Sequence, residues 1–217
     1  MIRAGDLDPR VARGFDRVAP AYDRLARMFP GDALRTTAEV FLPRLRPGSS
    51  VLVVGGGAGR ILPAVLRTAP ARVVWIDASE AMTARARREA NGDPRVAFRV
   101  GGLERIVPDE RFDVVVTPFF LDLFEGGRLA TVIARLSGAL VPAGEWTFAD
   151  FAHDRCRPLS SLLYALFRAG CGVEARRLAD WAEVFGREGF LAVERRTALG
   201  GWLCAMRLRR AVSASGD

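Results

Sequence analysis

Ser50-Val51-Leu52-Val53-Val54-Gly55-Gly56-Gly57-Ala58-Gly59 is a short apolar run that stops on glycines, and residues 60–68 after it have helical character. The run shows no polar alternation, so it reads as a strand buried on both faces. Glycines where a strand turns sharply into a helix let the backbone approach a ligand and aim helix-start amides at it. The pattern then repeats: residues 72–76 form a second apolar run ending at Asp77, and an arginine-rich helical stretch covers 79–90. Residues 96–100 and 112–116 are further strand candidates. Leu129, Val132, Ile133, Leu136 and Leu140 recur at helical spacing, and residues 146–151 follow Pro142 and Gly144 as a fifth strand. Continuous apolar strands alternating with helices predict an α/β fold, a doubly wound and mostly parallel sheet of about seven strands.

On the N-terminal side, Phe15, Val18, Ala19, Tyr22, Leu25 and Ala26 recur near helical spacing, and a second helix is expected over 33–45, stopping before Pro47-Gly48. On the C-terminal side the alternation breaks. Residues 158–169 place Leu159, Leu162, Leu163, Leu166 and Phe167 on one helical stripe with Tyr164 beside it. A helix over 179–189 and strands over 191–199 and 202–209 follow, and the tail 213–217 is expected to fray. No repeat or linker divides the chain. The expectation is one domain over 1–217, with a helical cap at about 8–46 and a core at about 49–155. A lid helix at about 157–170 is then inserted before C-terminal strands at about 190–210.

The 217 residues are 50% hydrophobic and 26% charged, a globular composition. The net charge is +7, and all 32 basic residues are arginine. Arg85, Arg87, Arg88, Arg176 and Arg177 read as solvated faces. No arginine stripe is interleaved with aromatics, so no nucleic-acid partner is expected. Cys156, Cys171 and Cys204 have neither disulfide-framework nor metal-knuckle spacing. They read as buried small hydrophobes in a reducing compartment, with no metal. No signal peptide and no membrane-length apolar run is visible, so the expected location is the cytoplasm. The apolar 158–169 stripe is compatible with peripheral membrane contact or a dimer face beside ordinary packing, and the expected state is a monomer or homodimer.

Asp77 stands 22 positions after Gly55 at the tip of the second strand, where an acid can accept hydrogen bonds from both ribose hydroxyls. Glycine loop, spacing and acid together point to a nucleotide-type ligand. The loop lacks a Gly-Lys-Ser/Thr ending, which excludes an NTP-hydrolysing P-loop, and no second domain is large enough for a typical dehydrogenase substrate.

The chain also resembles the class I S-adenosylmethionine-dependent methyltransferases. Residues 51–59 look like their glycine motif, Trp75-Ile76-Asp77-Ala78-Ser79 like the second motif and Gly101-Gly102-Leu103-Glu104 like the third. Phe112-Asp113-Val114-Val115-Val116 resembles the fourth strand, and residues 140–145 resemble the turn before the fifth, all in the right order over about residues 10–210. The resemblance implies a Rossmann-like fold and S-adenosyl-L-methionine as cofactor, with S-adenosyl-L-homocysteine as product. The implied cofactor residues are Gly55, Gly57, Gly59, Asp77, Ala78, Met82, Gly102, Leu103, Thr117 and Leu121. The nearest likeness is to ubiquinone/menaquinone-type C-methyltransferases and related small-molecule methyltransferases, because Phe15-Asp16-Arg17-Val18-Ala19-Pro20-Ala21-Tyr22-Asp23 resembles their N-terminal signature. That likeness implies Tyr22 at the methionine end and a lid in the Tyr164 helix. Two acids of the family pattern are replaced here, by Val53 and Gly102. Their loss costs cofactor affinity ~1–3 kcal/mol each if nothing substitutes. Adenine recognition then falls to backbone near Gly102 and Leu103, with stacking by Ala78 and Met82.

Thr117-Pro118-Phe119-Phe120-Leu121-Asp122-Leu123-Phe124 lies where this fold exposes its active edge. Phe119 and Phe120 are candidate substrate walls, joined by Phe15, Phe151 and Tyr164. Asp122 is a candidate base or cofactor ligand, with a helix-start acid as the plainer reading. His153, the sole histidine, follows the fifth strand and has the pKa range for proton abstraction; a surface-loop histidine is its plainer reading. The expected activity is methyl transfer to carbon or oxygen of an apolar, aromatic or quinone-like small molecule. A non-catalytic binding protein of the same fold is the alternative. A nucleic-acid base methyltransferase fits less well, because Thr117-Pro118-Phe119-Phe120 lacks the side-chain amide and second proline of the amino-methylating motif. An aminopropyltransferase shares the Val54–Gly59 turn but needs a carboxylate-rich pocket after the fourth strand.

Overall fold

The computed structural model describes residues 32–152 and 180–211. Their strands are β1 (Ser50–Val54), β2 (Arg72–Asp77), β3 (Val96–Val100), β4 (Phe112–Pro118), β5 (Leu140–Phe151), β6 (Phe190–Ala198) and β7 (Leu203–Arg210). They form one sheet in the order β3-β2-β1-β4-β5-β7-β6. The first five run parallel, with Val51 opposite Val73 on one side and Val114 on the other. β7 enters antiparallel between β5 and β6, pairing Phe148 with Met206.

Side-chain alternation along these apolar strands feeds two layers. Leu52, Val54, Val115, Trp146 and Phe148 point to one side, where α4 (Gly126–Gly138) and α5 (Trp181–Arg187) pack. Val51, Val53, Trp75, Val114 and Val116 point to the other, against α1 (Ala33–Glu39), α2 (Leu62–Arg67) and α3 (Glu80–Glu89). α3 starts on Ser79, whose hydroxyl accepts from the Met82 N–H at 3.1 Å, and has Glu80 in its first turn and Arg87 and Arg88 in its last. That arrangement matches the helix dipole and fixes the backbone of residues 78–82. The sheet's direction of growth reverses between β1 and β4, so their C-terminal ends splay apart and leave a crevice.

Two sequence expectations need correction. The helix expected over 33–45 ends at Glu39 and is followed by a 3-10 turn at Leu42–Arg44. Pro43 accounts for the break, because its ring would collide with the carbonyl four residues back and it has no N–H to donate. β5 begins at Leu140 rather than Trp146. Its register jumps from Phe112 opposite Leu140 to Val114 opposite Glu145, so residues 141–144 bulge out. A Cβ at Gly144 would stand 3.0 Å from the Val141 carbonyl oxygen and 3.1 Å from that of Asp113, so a larger residue there would need the bulge to shift by a few tenths of an ångström.

The arginines mostly cover or clamp. Arg207 grips the buried Glu145 at 3.0 and 3.1 Å, and Arg209 adds a second guanidinium. Burial works against the Glu145 charge, but the Arg209 and Arg207 hydrogen bonds outweigh it and hold the carboxyl below its usual range. Arg72 lies over the Phe112 ring at 4.9 Å. Among the described residues no helix is long and apolar enough to cross a membrane, and no His, Cys, Asp or Glu group is arranged to hold a metal. Cys204 is buried and free; Cys156 and Cys171 lie outside the described residues.

Candidate active site

β1 ends in a loop that glycine makes possible. Gly55 adopts φ +70°, and a Cβ there would stand 2.5 Å from Cδ2 of Phe120. Gly59 adopts φ +87° with α3 so close that a Cβ would meet the Ala86 Cα at 2.8 Å. The two positions let the loop turn and let α3 press against it. Between them, Gly57 donates its N–H to Asp77 Oδ2 at 2.8 Å, and nothing stands within 4 Å of where its Cβ would be. Asp77 Oδ1 accepts from the Ser79 N–H at 2.9 Å. These two bonds, one to each oxygen, orient the Asp77 carboxylate beside the glycine loop.

The loop and Asp77 line a cavity of about 1010 Å³, mouth included. Ala78, Met82 and Gly102 border it on the α3 side. Glu104 folds back there, with Oε1 accepting from the Gly102 N–H at 2.9 Å. Pro118, Phe119, Phe120 and Leu123 form the facing wall, and Leu34, Arg35, Ala38 and Arg60 close the end beneath α1. Phe119 holds φ +53°, a conformation costing a non-glycine residue ~1–2 kcal/mol. Its N–H donates to the Ala149 carbonyl at 2.7 Å and its ring packs on Phe151 at 5.3 Å, two contacts that offset the strain. Phe120 packs edge-on to Phe124 at 5.2 Å.

Behind this wall lies a carboxyl pair. Asp150, fully buried on β5, accepts from the backbone N–H of Leu121 (3.0 Å), Asp122 (3.2 Å) and Phe151 (2.9 Å). Burial, then the neighbouring Asp122 charge, push the Asp150 carboxyl well above its usual range. The pair therefore retains a proton at pH values where a lone aspartate is ionised.

The structure brings Gly55, Gly57, Asp77, Ala78, Met82, Gly102, Phe119 and Phe120 together around one space. It places others behind it. Thr117 is buried and accepts from Trp146 Nε1 at 2.8 Å, Leu121 and Leu103 are core, and Phe151 sits between Phe119 and Trp202. Gly59 backs the loop, and Asp122 faces Asp150 rather than the cavity lining. Val53 is core, an apolar side chain buried in the sheet below the loop. Phe15, Tyr22, His153 and Tyr164 lie outside the described residues. Sequence reasoning missed Arg35, Arg60 and Asp150. Arg60 had a usable signal, its place directly after the glycine loop; Asp150 looked like one more residue of a strand.

Residues 51–144 match a family model described as a methyltransferase domain. No curated protein sequence matches the chain. Among solved structures, a 1,6-didemethyltoxoflavin-N1-methyltransferase from Burkholderia thailandensis, with bound 1,6-didemethyltoxoflavin and S-adenosylhomocysteine, has a TM-score of 0.71 at 20% identity over 94% of this chain and 91% of that one. The N-methyltransferase NodS from Bradyrhizobium japonicum WM9, in complex with S-adenosylhomocysteine, has a TM-score of 0.71 at 18% identity over 93% and 98%. The mitomycin 7-O-methyltransferase MmcR has a TM-score of 0.66 at 19% identity over 91% of this chain, which spans 60% of that protein's length. These likenesses establish the fold as the Rossmann-like methyltransferase sheet.

Proposed function

We propose that the chain is an S-adenosylmethionine-dependent methyltransferase acting on an apolar, aromatic or quinone-like small molecule. The observation that carries this reading is the single cavity running from Asp77 across the glycine loop to the Phe119–Phe120 wall. The cofactor fits what lines it: backbone N–H groups, open space over Gly57, an oriented acid for ribose and an apolar slot at Ala78 and Met82 for a base. Bound there, S-adenosylmethionine supplies an electrophilic methyl carbon on a sulfonium sulfur. Asp77 holds the ribose hydroxyls, and the glycine loop admits the ligand to the backbone. Phe119 and Phe120 exclude water and present a flat acceptor, so positioning provides much of the rate. His153 is the candidate base.

The acceptor atom is carbon or oxygen on the sequence reading; the solved N-methyltransferases add nitrogen. The resemblance of residues 15–23 to ubiquinone/menaquinone-type enzymes favours a quinone-like ring. A non-catalytic binding protein is the second reading, favoured by valine and glycine where the family carries acids. Calorimetric titration with S-adenosylhomocysteine tests the cofactor, and incubation with methyl-labelled S-adenosylmethionine and a cell extract, read by mass spectrometry, tests the transfer. Absence of binding removes the enzyme reading; binding without label in any acceptor favours the second.

A further inference from the structure

β4 stops pairing with β5 at Pro118, opposite Ala149, and the chain leaves the sheet through Phe119 and Phe120 into a 3-10 turn at Leu121–Leu123. Phe120, the residue before that turn, has no side-chain oxygen to cap it, and the first N–H groups of a helical turn find no acceptor within it. Asp150 supplies the acceptor from the neighbouring strand. A single oxygen, Oδ2, accepts from the Leu121 N–H at 3.0 Å and the Asp122 N–H at 3.2 Å. The preceding residue on β5, Ala149, takes the Phe119 N–H on its carbonyl at 2.7 Å. Two consecutive residues of β5 thus hold the backbone on both sides of Phe120, whose ring stands against Gly55 and edge-on to Phe124.

Asp150 itself is fully buried, lies opposite Cys204 of β7, and is not among the residues that line the cavity. A carboxyl in such a place costs more stability than an apolar side chain of the same size. Two of the three backbone bonds that offset the cost run to the turn behind the wall, and the third stays on β5 at Phe151. We propose that Asp150 is a positioning residue for methyl transfer: by holding the turn at Leu121 and Asp122 it fixes where the Phe119–Phe120 wall, and an acceptor lying on it, stands relative to the glycine loop. It acts through those two N–H groups and touches no ligand. Phe119 needs such a hold, because its φ of +53° would relax if the turn behind it loosened. The ribose side is anchored separately, by the Gly57 and Ser79 bonds to Asp77, so the wall can shift while the cofactor stays in place. The inference rests on reading the cavity as a methyl-transfer site and adds what sets the acceptor's distance.

Two variants separate the hydrogen bonds from the burial. Asp150→Leu fills the volume without an acceptor, and Asp150→Asn keeps one oxygen able to take both N–H groups. Each is titrated calorimetrically with S-adenosylhomocysteine and assayed for label transfer from saturating methyl-labelled S-adenosylmethionine to acceptors in a cell extract. Fluorine NMR of fluorophenylalanine-labelled chain follows Phe119 and Phe120. Asp150→Leu should slow transfer by about tenfold to a hundredfold and shift both resonances, with the Kd within about threefold of wild type. Asp150→Asn should restore the resonances and bring the rate back to within about threefold of wild type. An unchanged rate and spectrum in Asp150→Leu overturns the proposal. So does a loss of S-adenosylhomocysteine affinity as large as the loss of rate, which marks a merely structural role. Asp150→Asn behaving like Asp150→Leu overturns it too, because the oxygen is then not the route. Should Asp150→Leu fail to fold, Asp150→Ala replaces it with the same expectations, and free exchange of the Leu121 and Asp122 amides in the wild type overturns the proposal without any variant. If wild type binds no S-adenosylhomocysteine, the cofactor reading itself falls. If it binds but labels no acceptor, the fluorine spectra decide: resonances that move in Asp150→Leu and return in Asp150→Asn support the proposal, and unmoved ones overturn it.

Discussion

Replacing Asp77 by asparagine keeps the shape and removes the charge. The carboxylate accepts from Gly57 N–H at 2.8 Å and Ser79 N–H at 2.9 Å, one through each oxygen. An amide can accept through only one of those atoms, so one N–H comes to face an NH₂ group. Leaving a buried donor unpaired costs ~1–3 kcal/mol, and because Asp77 is half-buried and water can replace part of the bond, the fold should lose about 1 kcal/mol. The ligand loses more. Hydrogen bonds to a charged acceptor contribute ~1.5–3 kcal/mol against ~0.5–1.5 for neutral ones, so two ribose hydroxyls forfeit about 2–3 kcal/mol. The Kd for S-adenosylhomocysteine should therefore rise by roughly 30- to 150-fold. Calorimetric titration of wild type and Asp77→Asn measures this, with a urea melt of each to separate the smaller folding cost. Asp77→Ala should abolish measurable binding. A Kd for Asp77→Asn within threefold of wild type would refute the placement of the ribose on this acid.

Gly55→Ala should destabilise the chain by ~2–4 kcal/mol, from a positive φ and a methyl group driven into the Phe120 ring; a denaturation midpoint unchanged at constant m-value would show the loop to be looser than described. Asp150→Asn tests the carboxyl pair. Its raised folded pKa means that the folded state holds a proton the unfolded state releases, so wild-type stability falls as pH rises from the ordinary value of 3.8 through the raised one. Asparagine removes that slope, so the variant should gain on wild type as pH rises above 3.8 in chemical denaturation; a constant difference contradicts the shared proton. His153→Ala should slow methyl transfer while leaving the S-adenosylhomocysteine Kd unchanged, and an unaltered rate takes His153 out of the mechanism.

The parallel half of the sheet was legible because burial on both faces leaves a plain trace, a run such as Val51–Val54 with no polar interruption. Asp77 was legible for a related reason: a charged residue stands out at the end of such a run. Arg60 and Asp32 left no comparable trace. They meet across 28 positions of chain, and an arginine among 32 arginines carries little information until its partner is known. Asp150 was hidden differently. Its burial depends on the backbone of residues 121, 122 and 151 closing around it, and periodicity along β5 is blind to donors from another strand's loop. The β5 bulge escaped because Pro142 and Gly144 read as a turn, whereas the chain keeps pairing on either side of them.

The position of β7 has a consequence for how the molecule is made. β5 leaves the sheet at Phe151, and the strand that lies beside it begins only at Leu203, so a central pairing waits on distant sequence. On a ribosome, β1 to β5 emerge first and present Trp146 and Phe148 before Met206 and Leu208 exist to flank them. A chain cut before Leu203 would carry the entire glycine loop and Asp77 yet expose a bare, apolar β5 edge open to pairing with another chain. Translation stalling in that interval should yield aggregates rather than a smaller working core.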